Sequence, residues 1–224
     1  PAAWPWIAAS VIVHIAYFWL LAAAYRWGDL SFTYPVMRGG APALVALGGV
    51  VAFGEILPWA ETAGVALISV GILGFATVRH GDALARGKAL RFALLNAGVI
   101  AAYTLIDARG VRVSGSPLSY AIWFFLANSV VQSSIGFALR GAAVMPYFLR
   151  HWPRALVGGA LTLGAYGTAL WAMAYAPAAL VAALRETSVL FAAAIGALFL
   201  GERFTRQAAL ATLAVLAGLV ALRL

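Results

Sequence analysis

The stretch ALRETSVLFAAAIGALFLGER, residues 183–203, decides the fold. It belongs to an apolar run that begins at Ala178, and that run is long enough for the about 20 residues a bilayer-spanning helix needs. Arg185 and Glu186 stand inside it. A charge at the centre of a spanning helix costs about 2.5–3.5 kcal/mol on insertion scales, so such residues face a bundle interior or a wet cavity and mark a pathway.

Outward from this stretch the rest of the chain has the same character. Of its 224 residues 64% are hydrophobic and only 10% are charged, against about 45–50% and about 25% in soluble domains. Continuous apolar runs recur at 5–25, 33–54, 59–78, 92–108, 117–139, 155–175, 178–200 and 207–222. They read as spanning helices, and their lack of alternation excludes a β-barrel. The connections between them are short and carry turn residues or charge, and Trp4, Trp6, Trp27, Trp59 and Trp152 sit near segment ends, as interfacial anchors do. The expected fold is therefore an all-α polytopic membrane bundle. The net charge of +8 comes from basic residues in the gaps between apolar runs, a pattern for anionic lipid and not for nucleic acid. With no cysteine there is no thiol nucleophile and no thiolate metal site. No metal or other cofactor is expected.

The chain also repeats itself. Residues 36–71, VMRGGAPALVALGGVVAFGEILPWAETAGVALISVG, align without gaps to residues 183–218, ALRETSVLFAAAIGALFLGERFTRQAALATLAVLAG, at an offset of 147. Arg38 then meets Arg185, Gly49 meets Gly196, Gly54-Glu55 meets Gly201-Glu202, and Gly71 meets Gly218. The two Gly-Glu turns are an odd number of segments apart, so one faces each side of the membrane and the repeats are inverted. Many secondary transporters are built this way.

Here the sequence resembles the drug/metabolite transporter superfamily in its EamA-like branch. The likeness is strongest in RETSVLFAAAIGALFLGER followed by ALATLAVLAGLVAL. It recurs more weakly in RGGAPALVALGGVVAFGE followed by AGVALISVGIL. The resemblance implies ten helices in two five-helix inverted repeats around a central cavity. Eight of the ten are expected here: 1–78 holds the last three helices of a first EamA-like repeat, 79–91 is a basic loop, and 92–224 is a second repeat of five. Two further helices are expected before residue 1. The cavity wall then falls on the segments at 5–25, 33–54, 92–108, 155–175 and 178–200.

Each candidate residue has a bland reading beside a functional one. Arg38 and Arg185 either tie unwound carbonyls or a neighbouring carboxylate, or line the cavity and clamp an anionic group bidentately. Glu186 either pairs with a basic residue on another helix or is a protonatable coupling group. His14 is either a hydrogen-bonded bundle residue or a substrate ligand or proton relay. Tyr17 follows it at helical spacing. Tyr103, Tyr166 and Trp171 are packing or cavity wall. Asn128, Ser129, Gln132 and Ser133 form a strip on the fifth segment that reads as interhelical hydrogen bonding. In the paired turns, Gly54 and Gly201 supply left-handed caps, and Glu55 and Glu202 cap or charge the start of the next helix.

The expected function is a secondary transporter, an exporter of small metabolites such as amino acids or organic anions. It would act as a monomer or homodimer in a lipid bilayer, multi-pass in a cell membrane, a bacterial inner membrane by the family. The alternatives are a membrane-embedded enzyme, for which no catalytic motif appears, and a structural membrane protein, against which the charged inverted repeat argues. Orientation divides two arguments. Alternating the segments puts ten basic residues in one set of loops and three in the set with both ends, which places the ends outside. The resemblance implies cytoplasmic ends.

Overall fold

The computed structural model describes residues 2–76, 83–191 and 206–222, and among these it contains helices and turns without strands. Bare peptide groups cannot be hydrated within a bilayer, so a chain this apolar has to satisfy them inside each helix. The helices are α1 (Trp4–Trp27), α2 (Leu30–Phe53), α3 (Trp59–Gly74), α4 (Ala83–Ser114), α5 (Pro117–Arg140), α6 (Val144–Met173), α7 (Ala178–Arg185) and α8 (Arg206–Ala221). Among the described residues four stretches are long and apolar enough to cross a membrane: Trp4–Trp27, Phe32–Phe53, Leu84–Ser114 and Pro117–Met173, the last containing both α5 and α6. Residues 59–74 and 209–221 form shorter apolar helices.

Local chemistry accounts for the helix ends. Gly54 closes α2 at φ 66°. Its N–H bonds Val50 O at 3.0 Å, and the Glu55 N–H bonds Gly49 O at 3.2 Å. The left-handed conformation this closure needs costs glycine nothing. Between α4 and α5 the turn is Gly115 at φ 69°, followed by Ser116, whose hydroxyl accepts the Ser119 N–H at 3.3 Å. Pro117 then occupies the first turn, where its missing N–H is harmless.

Three expected connections are different in the structure. The basic loop 79–91 is helical from Ala83 onward, because α4 runs 32 residues to Ser114 and not 92–108. At about 48 Å it exceeds the about 30 Å hydrocarbon core, so its basic first turns extend beyond the apolar span. There Lys88 Nζ lies 4.1 Å from the centre of the Trp27 ring, a cation–π contact that hides no charge from water. The stretch 140–154, expected as the connection between two segments, is a three-residue 3₁₀ turn at Gly141–Ala143 leading straight into α6. Finally, the segment expected at 178–200 stops being α-helical at Arg185, turns at Glu186–Thr187 and is helical again at 188–191. Residues 192–200, with Gly201 and Glu202, lie outside the described residues.

By contact the chain divides into two compact units, one of residues 1–15 and 106–175, the other of 16–105 and 176–224. These units do not follow the expected blocks 1–78 and 92–224, which were drawn from the sequence and not from contact. In the first unit, α5 and α6 pair, and most of their apolar side chains are exposed, as lipid-facing residues are in a spanning helix. In the second, α2, α3, α7 and α8 pack together around Val65, Ile68, Ile72, Ala183, Val189 and Val215. The closest packing is between α3 and α8. A Cβ on Gly64 would come 2.8 Å from Gly218 O, and one on Gly71 would come 2.9 Å from Ala211 O. Backbone meets backbone there, the contact that small residues permit in membrane helices.

Candidate functional site

The second unit holds a buried ion pair. Arg38 Nε lies 2.8 Å from Glu186 Oε2, with side chains 15% and 3% exposed. Arg38 is in the ninth position of α2, about 12 Å from the helix start, deeper than the sequence reading placed it. Pro42 stands four residues on inside the same helix, so the Arg38 carbonyl loses the N–H that would normally bond it. Gly39 and Gly40 flank the arginine. A Cβ on Gly39 would sit 3.1 Å from Ser69 O on α3, and one on Gly40 would sit 3.3 Å from Ala97 Cβ on α4. Their bare surfaces let the three helices approach around the charge.

Glu186 is held by the break after α7. Its N–H bonds Ala183 O at 3.1 Å, and the Thr187 N–H bonds Leu184 O at 3.1 Å, so the ladder has tightened from i−4 to i−3. A carboxylate at a helix C-terminus meets the negative end of the helix dipole. The Arg38 guanidinium offsets this, and the half-buried Arg185 adds its charge. The other end of α7 carries the complement: Glu55 Oε2 accepts the Ala178 N–H at 3.3 Å. Glu55, expected to cap or charge the start of the next helix, α3, thus also reaches α7, which the fold brings to the α2–α3 turn. The short α7 is thus held by a carboxylate at its N-terminus and a guanidinium at its C-terminus.

Tyr17, Tyr34 and Tyr103 lie within electrostatic reach of Arg38. The Tyr17 and Tyr103 rings meet edge to face with centroids 5.8 Å apart. Buried Asn96 donates to Met37 Sδ at 3.0 Å. Of the sequence candidates, Arg38, Arg185, Glu186, Tyr17 and Tyr103 therefore gather in one unit around one charge pair.

His14 and Tyr166 belong to the other unit, in a second polar cluster whose centre was not foreseen. Asp107 on α4 is 0% exposed. It accepts the Tyr120 hydroxyl at 2.8 Å and the Tyr166 hydroxyl. Ser10 hydrogen-bonds it as well, and His14 acts on it electrostatically. His14 Nδ1 lies 2.8 Å from Ser10 O. A carbonyl only accepts, so that nitrogen carries a hydrogen. The His14 and Phe124 rings are 5.0 Å apart between centroids. The rule that singled out Glu186, an acid inside an apolar run, also applies to Asp107. With the helix expected to end at 108, it stood at a terminus. In the structure it lies a full two turns inside.

The remaining candidates separate from both clusters. Trp171 is 59% exposed and packs on Tyr175, with ring centroids 5.5 Å apart. It stands on the outer surface of its unit. On α5, Ser129 and Ser133 are exposed, and Asn128 Oδ1 and Gln132 Nε2 have no hydrogen-bond partner among the described residues, so the expected interhelical bonds are not formed at those atoms. An apolar cavity of about 340 Å³ between α2 and α3 reaches neither polar cluster. Among the described residues, no group of acids and histidines is arranged to hold a metal.

No curated protein matches the chain. The model of the EamA-like transporter family matches residues 87–224, more than half of its length, from the first turns of α4 to the end. With long apolar helices and charged residues buried within them, the chain is a multi-pass membrane protein that belongs to the EamA-like transporter family of the drug/metabolite transporter superfamily.

Proposed function

We propose that the protein is a secondary transporter that exports small metabolites carrying an anionic group, such as amino acids or organic anions, by alternating access across a bacterial inner membrane. The observation that carries this reading is the Arg38–Glu186 pair. It joins a continuous helix, α2, to the break after α7, with tyrosines around it. A guanidinium can bind a substrate carboxylate or phosphate bidentately, and here its Nε already faces one carboxylate oxygen of Glu186. A substrate anion therefore competes with Glu186 for Arg38. Its arrival frees the residue that ties the interrupted segment to α2, which couples occupancy to movement of that segment. Discontinuous helices with polar groups at their ends serve this role in many transporters.

The chain's architecture is, in this reading, eight helices of ten in two inverted repeats. The crossing of α3 and α8 supports it. Gly64 meets Gly218 and Gly71 meets Ala211, and the offset of 147 carries Gly64 onto Ala211 and Gly71 onto Gly218. Each contact is thus exchanged with the other, as a two-fold relation requires. Ile68 and Val215, equivalent under the same offset, lie at the centre of the crossing.

The test is transport by the purified chain in liposomes loaded with a panel of amino acids, organic anions and phosphorylated metabolites. Protein-dependent flux of at least one anionic compound is expected. The flux should fall about tenfold or more in Arg38→Lys, which keeps the charge and loses the fork. Flux of no compound, or wild-type flux in Arg38→Lys and Arg38→Ala alike, overturns the reading. A C-terminal reporter active only in the cytoplasm sets the orientation: activity after Leu224 defeats the arrangement drawn from the loop charges.

A further inference from the structure

We propose that Asp107 is a proton-binding site, filled through Tyr120 from a small cavity at one end of α1 and α5. The cavity has a volume of about 170 Å³ and is lined by Trp4, Ile7, Ser114, Ser119, Tyr120 and Trp123, room for several waters at about 30 Å³ each. Its rim includes exposed Trp4, Ser119 and Trp123, and its floor includes buried Tyr120. The Tyr120 hydroxyl donates to Asp107 Oδ1 at 2.8 Å. Tyr120 thus both lines the cavity and bonds a carboxylate that is 0% exposed. Gly110 makes this approach possible, since a Cβ there would lie 2.6 Å from the Tyr120 oxygen.

The groups that face Asp107 are Ser10 and His14 from α1, Tyr120 from α5 and Tyr166 from α6. No arginine or lysine is among them. Neutral hydroxyls can serve the carboxylate and the carboxylic acid alike by rotating, whereas a fixed guanidinium opposes protonation of its partner. A buried anion that faces a histidine rather than a permanent cation is also costly. In the relay, a proton from cavity water adds to the Tyr120 oxygen as the phenol's own proton passes to Asp107. One O–H bond forms and one breaks at each transfer, and the net result is a single proton on the carboxyl group. His14 already carries a hydrogen on Nδ1 toward Ser10 O, so only Nε2 can take a further proton on that side.

A polar lock between helices would use the same hydrogen bonds without changing charge, and the experiment separates the two. The full chain is reconstituted in phosphatidylcholine liposomes, and infrared difference spectra are recorded between acidic and alkaline pH. This reads the site itself and is independent of any transported compound. A carboxylic-acid C=O band that vanishes on raising the pH is expected. It should shift when aspartate carboxyls are labelled with carbon-13, disappear in Asp107→Asn and persist in Glu186→Gln. An absent aspartate band in the wild type, or a band that survives in Asp107→Asn, overturns the proposal. Should Asp107→Asn fail to fold, Tyr120→Phe decides: loss of the phenol bond should displace the labelled band, and an unmoved band overturns the proposal.

Discussion

Glu186 and Asp107 are both acids buried within apolar segments, and they are held in opposite ways. Glu186 faces a guanidinium at 2.8 Å, across a break in a helix. Asp107 faces two phenols, a serine and a histidine on intact helices. The first arrangement fixes a charge, because removing either partner strands the other. The second stabilises a carboxyl group without committing it to one charge state. Only the first is set at an interrupted helix, where loss of the pair can release a segment. A membrane protein can therefore bury two carboxylates for two purposes, and the identity of the donors distinguishes them.

The largest expected effect breaks the first arrangement. Arg38→Ala leaves Glu186 buried and unpaired and should cost about 3–5 kcal/mol, read by thermal unfolding in detergent. Adding Glu186→Leu should restore much of it, and a double variant no better than the single one would mean that the pair is not where the loss arises. Asp107→Asn sharpens the contrast. The amide still meets the hydroxyls, so the loss should be about 1–3 kcal/mol in the same measurement; a loss equal to that of Arg38→Ala would erase the distinction. Next is the frame that carries the ion pair. Gly71→Leu drives a side chain into the α8 backbone and should cost about 1–3 kcal/mol. Glu55→Gln keeps the shape but removes the charge at the start of α7, for about 0.3–1 kcal/mol, falling with added salt if it is electrostatic. The smallest change is Trp171→Leu, on the exposed surface, expected within about 0.5 kcal/mol and without effect on flux. A large loss of flux there would return Trp171 to the cavity wall.

The class of fold was legible in the sequence because it follows from solvent and length alone. Runs of about 20 apolar residues leave the backbone nowhere to bond but within a helix. The cap at Gly54 was legible for a similar reason. It acts on neighbours within a turn, so its chemistry is local. Arg38, Glu186, Tyr17 and Tyr103 could be named as candidates because a charge or polar ring in an apolar run needs a partner. Which partner it finds is a matter of tertiary structure. Glu186 meets Arg38 across a sequence gap of well over a hundred residues, and Glu55 finds the start of α7. Asp107 escaped because hydropathy sees only the apolar middle of α4, whereas the helix continues through basic turns to Ser114. Helical hydrogen bonding tolerates charged residues at the ends of a span, where hydropathy falls. A side chain's burial depends on what packs over it: here Tyr120 and Tyr166, brought by α5 and α6, enclose a carboxylate that sequence alone places at an edge.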